Sequence, residues 1–542
     1  MFTKRLALLG MLSLFVFVSA CGTPATATQA PSVAQGPGAA GDVYEAAPAT
    51  EAPATSAPAE LAPSLPSSPS SSSPSNNPPN SSPSDRRPYD MFFENYGVNP
   101  SVDTEDDNLS TFALDVDTGS YTVMRNYLKD GNLPPTDSVR VEEYVNFFEQ
   151  NYPSPPAHQA FAIQVDGGPS PFTETERYDM LRVGIQGYRV PEGERKDASL
   201  TFVIDISGSM DMDNRLGLVK RSLELLVEQL RPTDSVSIVV YGSDTRVVLD
   251  PTPGSDKGRI LDAIYSLHTD GATNAEAGIR LGYKTAMRAF LPGGINRVIL
   301  CSDGVANVGQ TEADVILSEV RGYVEEGVTL ATFGFGMDNY NDTLMEQLAD
   351  NGDGFYAYID DIEEAQRLFI DELTGTLQTI AMNAKVQVDF NPAVVKRYRL
   401  VGFENRAVAD DQFRDNNVDA GEIGAGHTVT ALYEVKLYPE AYGRIATVFL
   451  RWEDPDTRAV TELSQDFDTG QMAHDFREAD PYFQRAVVVA EYAEILKDSY
   501  WAEGSSLKNV LREAERVSEL LYRDESMQEF VDLVRQALHL NW

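Results

Sequence analysis

The spacing of apolar positions changes period several times along this chain, and the changes divide it. Residues 109–116 alternate as a strand does, 121–128 and 139–150 carry helical spacing, and 161–165 and 180–186 alternate again. From 198 the pattern becomes strand, helix, strand, helix. Residues 200–204 form an apolar run that predicts a buried strand. The helix after it sets Leu216, Val219, Leu223, Leu226 and Leu230 on one face at spacings of three and four. Strands are predicted at 236–241, 297–301, 328–333 and 354–359. Helices are predicted at 260–267, 275–290, 312–325, 341–348 and 362–377. Such alternation builds a mainly parallel sheet with helices on both faces, a Rossmann-like α/β unit over 198–380. Strand character returns at 385–390, 398–403, 428–437 and 446–452, and from 481 the pattern is helical. Because strands flank the α/β unit on both sides, the flanks are expected to pair, with the unit inserted in a β-rich, sandwich-like region.

The implied division is a mixed α/β flank at 89–197, the α/β unit at 198–380, a β-rich flank at 381–480 and a helical region at 481–542. Ahead of these, residues 21–88 are dominated by Ala, Pro, Ser and Thr. That composition cannot bury enough apolar surface to offset chain entropy, so a disordered tether is expected. Residues 1–20 open with Lys4 and Arg5, run apolar from Leu6 to Val18 and end in Ser19 and Ala20 before Cys21. A short basic segment, a short apolar run and small residues make an export signal. The run falls short of the roughly 20 residues needed to span a bilayer. Val18-Ser19-Ala20-Cys21 also resembles the bacterial lipobox, which implies cleavage before Cys21, lipid on its new N-terminus, and attachment at the cell envelope. The second cysteine, Cys301, ends an apolar run and is expected to be a small buried hydrophobe.

The formal charge is −40, from 43 Lys plus Arg against 83 Asp plus Glu. Such a surface repels phosphate backbones, which argues against a nucleic-acid partner. It suits divalent cations where a defined site exists.

That site is read from Asp205-Ile206-Ser207-Gly208-Ser209, directly after the 200–204 run. In open α/β sheets ligands bind beyond the C-terminal ends of strands, where this loop falls. One carboxylate and two hydroxyls at alternate positions are hard oxygen donors suited to Mg²⁺, and Gly208 is expected to ease the turn. The sequence here resembles the von Willebrand factor type A (VWA) family. Asp270-Gly271-Ala272-Thr273-Asn274 and Ser302-Asp303-Gly304 match that family's other site loops, in the family's order. The resemblance implies a metal-ion adhesion site in which Ser207, Ser209 and Thr273 offer hydroxyl oxygens to Mg²⁺, with Mn²⁺ or Ca²⁺ as alternatives. Asp205 and Asp303 would bind directly or through water, leaving one position for a partner's carboxylate. The segments 110–121 and 424–430 further resemble bacterial VWA lipoproteins with domains on both sides of the VWA unit.

Rival chemistry is thin. Asp117-Thr118-Gly119 and Asp468-Thr469-Gly470 repeat the aspartic-protease tripeptide, but the whole α/β unit separates them and their surroundings differ, so turn use is expected. No zinc spacing, phosphate-binding glycine loop or nucleophile elbow occurs in the sequence. The expectation is a non-enzymatic, envelope-anchored, metal-dependent binding or adhesion module for a protein or glycan bearing a carboxylate. The alternative is an envelope scaffold whose VWA unit is largely structural.

Overall fold

The structure is a computed structural model that describes residues 91–540, apart from 157–158, 173–177, 305–309 and 338–339. The export signal, Cys21 and the Ala/Pro/Ser/Thr-rich segment lie outside the described residues. Among the described residues, no helix is long and apolar enough to cross a membrane.

The central unit is a six-stranded sheet in the order Tyr356–Tyr358, Thr329–Gly334, Ile295–Ser302, Ala198–Asp205, Ser235–Tyr241, Arg246–Pro253. The first five run parallel and the last pairs antiparallel at one edge. Alternate side chains enter two cores, as the pleat requires. Leu200, Phe202 and Ile204 meet the Arg215–Gln229 helix on one face, while Val203, Val298 and Leu300 meet the Ala275–Arg288 helix on the other. Every residue of Ala198–Asp205 is buried, which is why Leu200, Phe202, Val203 and Ile204 crowd together without the alternation of a half-exposed strand.

The two flanks share strands, as their patterns suggested. Leu109–Ala113 pairs antiparallel with Thr379–Phe390, and Thr428–Leu437 pairs with Asp179–Gly187. One resulting sheet orders Val102–Asp103, Val395–Val401, Thr428–Leu437, Asp179–Gly187 and Phe161–Pro169. The facing sheet orders Gly421–Gly424, Thr379–Phe390, Arg444–Glu453 and Val460–Asp468. Phe112, Val183, Val388, Tyr433, Leu450 and Trp452 pack into one core between them. Residues 89–197 and 381–480 are thus interleaved halves of one sandwich, with the α/β unit inserted between its strands.

A third layer holds the Gly119–Lys129 and Val141–Asn146 helices against Pro481–Leu496, Leu507–Leu520 and Glu525–Leu540. Tyr121 stacks on Phe147 with centroids 4.0 Å apart, and Phe148 meets Phe530 edge-on. Buried ion pairs tie the flanks to the central unit. Arg125 meets Asp360 at 2.5 Å, and Arg140 meets Asp342 at 2.8 Å. Arg406 reaches Asp115, Glu346 and Asp350 at 2.9–3.0 Å.

Three expectations differ from the structure. The 362–377 helix is interrupted: α-helical Ile362–Gln366 passes into a π-helical turn at Arg367–Asp371 before Leu373–Leu377. Arg367 lies on that turn and ion-pairs with Glu364 and Glu372. The edge strand Arg246–Pro253 was absent from the predicted elements because it alternates poorly and ends in Asp250-Pro251-Thr252-Pro253. The 139–150 helix shortens to Val141–Asn146.

Candidate metal centre

The site is built at the C-terminal edge of the parallel strands. Asp205 is the last residue of its strand and Ser302 the last of the neighbouring one, which brings Asp303 beside it. The Asp205 carboxylate is fully buried. Its Oδ1 accepts from the Ser207 backbone N–H at 2.7 Å and its Oδ2 from the Ser302 hydroxyl at 3.1 Å. Asp303 is also buried, with Oδ2 accepting from Arg215 at 2.9 Å.

The loop that carries Thr273 is tied to this cluster through the backbone of the residues before it. Asp270 N–H donates to the Ile206 carbonyl at 2.6 Å, and Gly208 N–H donates to the Gly271 carbonyl at 3.0 Å. The Ser243 hydroxyl accepts from Ala272 N–H at 3.2 Å, pinning the same loop from the Tyr241 side. Asn274 then caps the Ala275–Arg288 helix by accepting from Ala277 N–H. Sequence reading assigned the turn's glycine requirement to Gly208, and the structure moves it. A Cβ on Gly208 would meet only the Gly271 carbonyl at 3.5 Å, ordinary contact. Gly271 has φ +66°, and a Cβ there would lie 1.7 Å from Ser243 Oγ.

Asp205, Ser207, Ser209 and Asp303 therefore converge, with the Thr273 loop stitched to them. The donor set fits Mg²⁺. Ser207 Oγ and Ser209 Oγ are hydrogen-bonded to each other at 3.0 Å, a separation that two neighbouring oxygens about 2.1 Å from an octahedral Mg²⁺ would also have. Two buried carboxylates also face each other: burial and the charge of Asp303 push Asp205 up to about 6. Burial raises Asp303 too, opposed by hydrogen bonds from Ser209 and Arg215. A divalent cation would relieve both. Such an ion would act as the Lewis acid that accepts a partner's oxygen.

A pH dependence follows from the Asp205 shift. Its folded pKa lies above the unfolded value of 3.8, so the metal-free fold favours the protonated acid. That stabilising contribution is complete below 3.8 and is lost as pH rises through about 6. Metal binding needs the carboxylate, so Mg²⁺ affinity should fall about tenfold from pH 7 to pH 5. Calorimetric titrations at pH 5, 6 and 7 check this; a flat profile rules out proton competition at Asp205.

The two Asp-Thr-Gly tripeptides occupy different settings. Asp117 is buried, accepts from Tyr356 N–H at 3.0 Å and lies 3.6 Å from Arg406. Asp468 is exposed and caps the turn at Thr469–Gln471. Cys301 is buried as expected. Sequence reasoning missed Arg215 and Ser243 as site elements and gave Ser302 no role.

The von Willebrand factor type A domain family matches residues 199–371, the span that carries all five candidate ligands. The central unit is a VWA domain. A family described as von Willebrand factor matches 87–179, and one described as the C-terminal part of uncharacterized protein YfbK matches 375–540, so both sides of the VWA domain also have relatives. The chain is 43% identical to uncharacterized protein YfbK of Escherichia coli (strain K12) over 352 residues, 64% of this chain and 61% of that protein. It thus spans about three fifths of that relative's length. It is 30% identical to inter-alpha-trypsin inhibitor heavy chain H1 of Sus scrofa over 192 residues, covering 33% of this chain and 21% of that one. Among solved structures, the von Willebrand factor type A protein from Catenulispora acidiphila aligns with TM-score 0.43 and 16% identity, over 72% of this chain and 91% of its own. VWA domains commonly bind a divalent metal and often serve as metal-dependent adhesion or protein-interaction modules.

Proposed function

We propose that this protein is an envelope-anchored, non-enzymatic binding or adhesion module whose VWA domain holds Mg²⁺, or Mn²⁺ or Ca²⁺ in its place, through Asp205, Ser207, Ser209, Thr273 and Asp303. A carboxylate on a protein or glycan partner completes the shell. The reading rests chiefly on the meeting of Asp205, Ser207, Ser209 and Asp303 at the strand ends, with two buried carboxylates that repel each other and two hydroxyls 3.0 Å apart. Anchoring rests on the sequence around Cys21. In this reading the residues' work is positional: Ser207 N–H and Ser302 Oγ orient Asp205, while the Thr273 loop is fixed by its bonds to Ile206 and Gly208.

A second reading, a scaffold with a largely structural VWA domain, is favoured by the buried ion pairs that bind this domain to its flanks. Titrating Mg²⁺ and Mn²⁺ into the full chain and its Asp205→Ala variant separates the two. Saturable heat in the wild type that is lost by on the order of a hundredfold or more in the variant supports the metal-dependent reading. Equal binding by both, or by neither, supports the scaffold.

A further inference from the structure

A cavity of about 460 Å³ lies where the VWA domain, the sandwich and the helical layer meet. Its volume is within the roughly 300–1,000 Å³ of small-molecule sites, which gather at such junctions. The VWA domain contributes Phe355 and the π-helical turn with Arg367, the helical layer Phe147, and the sandwich Gln186 and His427. The segments 110–121 and 424–430, which resemble bacterial VWA lipoproteins outside the VWA unit, border it through Thr118 and His427. One buried group on this wall is left open. Gln186 is 2% exposed, and its Nε2 donates to the Gly187 carbonyl at 2.9 Å and the Gly426 carbonyl at 3.0 Å. Those bonds use both amide hydrogens and fix the amide's orientation, because a flip would set Oε1 against two carbonyl oxygens. Oε1 itself accepts no hydrogen bond among the described residues.

The charges around it are already matched. Arg367 bonds Glu364, Glu372 and Thr118, and lies over the Phe147 ring, 5.1 Å from its centroid. Arg189 pairs with Glu149 at 3.7 Å, both exposed at the rim. Burial, with Arg367 and Arg297 nearby, pushes His427 down to about 4, so its ring carries no charge at neutral pH.

We propose that this cavity binds an uncharged saccharide unit, whose hydroxyl donates to Gln186 Oε1 and whose apolar ring face lies against Phe355. A carboxylate ligand has no proton to give Oε1, and it would face Glu149, Asp371 and Glu372 against two arginines. An ammonium ligand has the proton, but Arg367 already holds the Phe147 face and repels it. A hydroxyl donates to Oε1 and accepts from the rim without bringing charge. Aromatic walls with a few placed polar groups are the usual make-up of a small-molecule site. None of the five candidate metal ligands lines this cavity, and the inference does not rest on the metal-dependent reading.

The experiment titrates glucose, N-acetylglucosamine, maltose, inorganic phosphate and choline into the full chain by calorimetry, in EDTA so that no metal takes part. At least one of the three sugars should bind saturably, and more tightly than phosphate or choline. Gln186→Met, which keeps the length and loses the amide, should weaken that sugar by on the order of tenfold. Thr374→Trp adds bulk at a half-buried lining position and should abolish binding with Gln186 intact. This variant carries the test if Gln186→Met does not fold. Phosphate or choline binding tighter than every sugar makes the cavity an ion site and overturns the proposal. Sugar affinity unchanged in both variants puts the sugar elsewhere and overturns it, as does a wild type that gives no heat with any of the three sugars. Because metal is excluded throughout, none of these results bears on the reading of Asp205 and its neighbours.

Discussion

Replacing Arg406 with alanine should cost roughly 3–5 kcal/mol of folding stability, the range seen when one partner of a buried charge network is removed. Arg406 lies between the flanks and the central domain, 3.0 Å from Asp115, 3.0 Å from Glu346, 2.9 Å from Asp350 and 3.6 Å from Asp117. Asp115, Asp117 and Glu346 are buried, with carboxylate oxygens within 4.8 Å of one another. Without the guanidinium, three buried carboxylates lose their shared cation. The deficit should also depend on pH in a defined direction. Burial pushes Glu346 up to about 7 and raises Asp117 and Asp350, so each is more readily protonated in the folded state. Protonation removes the repulsion, and the Arg406→Ala deficit should therefore shrink as pH falls from 7 to 5. Urea unfolding of both proteins at the two pH values measures it. A loss under about 1 kcal/mol, typical of exposed ion pairs, would mean the network contributes little.

The second large effect belongs to Tyr121. Its ring is fully buried, stacked 4.0 Å from Phe147 and edge-on to Phe148 and Tyr144. Phe148 and Tyr492 both pack against Phe530, so this cluster joins the N-terminal helices to the C-terminal ones. Tyr121→Ala should cost roughly 3–5 kcal/mol, the usual loss for a buried aromatic truncated to alanine. Limited proteolysis should then open the N-terminal and C-terminal helices together, because they share one core. Tyr121→Phe supplies the control. Among the described residues the buried hydroxyl has no hydrogen-bond partner, so its removal should leave stability unchanged or slightly raised. Cleavage confined to the last helices in Tyr121→Ala would show that the two helical groups are separate units.

The parts of the fold legible in the sequence are those where burial is one-sided or complete. Leu216, Val219, Leu223, Leu226 and Leu230 announce their helix because one face alone meets the sheet. The pairing of the flanks followed from strand patterns on both sides of the insertion. The antiparallel edge strand was not legible, because Arg246, Asp250 and Pro251 face solvent and interrupt alternation. The π-helical turn was equally hidden. Leu368, Phe369, Leu373 and Leu377 pack into the same core with a residue of slippage that helical spacing tolerates. At the site, Asp205, Ser207 and Ser209 are legible as candidate oxygen donors because they alternate in one short loop, whereas Thr273 and Asp303 enter through the resemblance to the VWA family. Arg215 is legible by neither route. An arginine opening a helix reads as an exposed charge, and Gly336, the residue that makes room for it, lies 121 positions away.

The interleaving of the sandwich bears on how the chain is made. Thr111 meets Gln387 across 276 residues. At about 5–20 residues per second, a ribosome needs roughly 15–55 s to add that length. Throughout that interval the strand Leu109–Ala113 exists without the neighbour that completes its sheet, while the inserted VWA domain acquires all its own strands and can close first. The order of assembly should thereby be inverted relative to the order of synthesis, with the middle folding before the beginning is complete. A chain released after residue 378 should present a finished centre flanked by an unmated strand, the species on which holding factors would act.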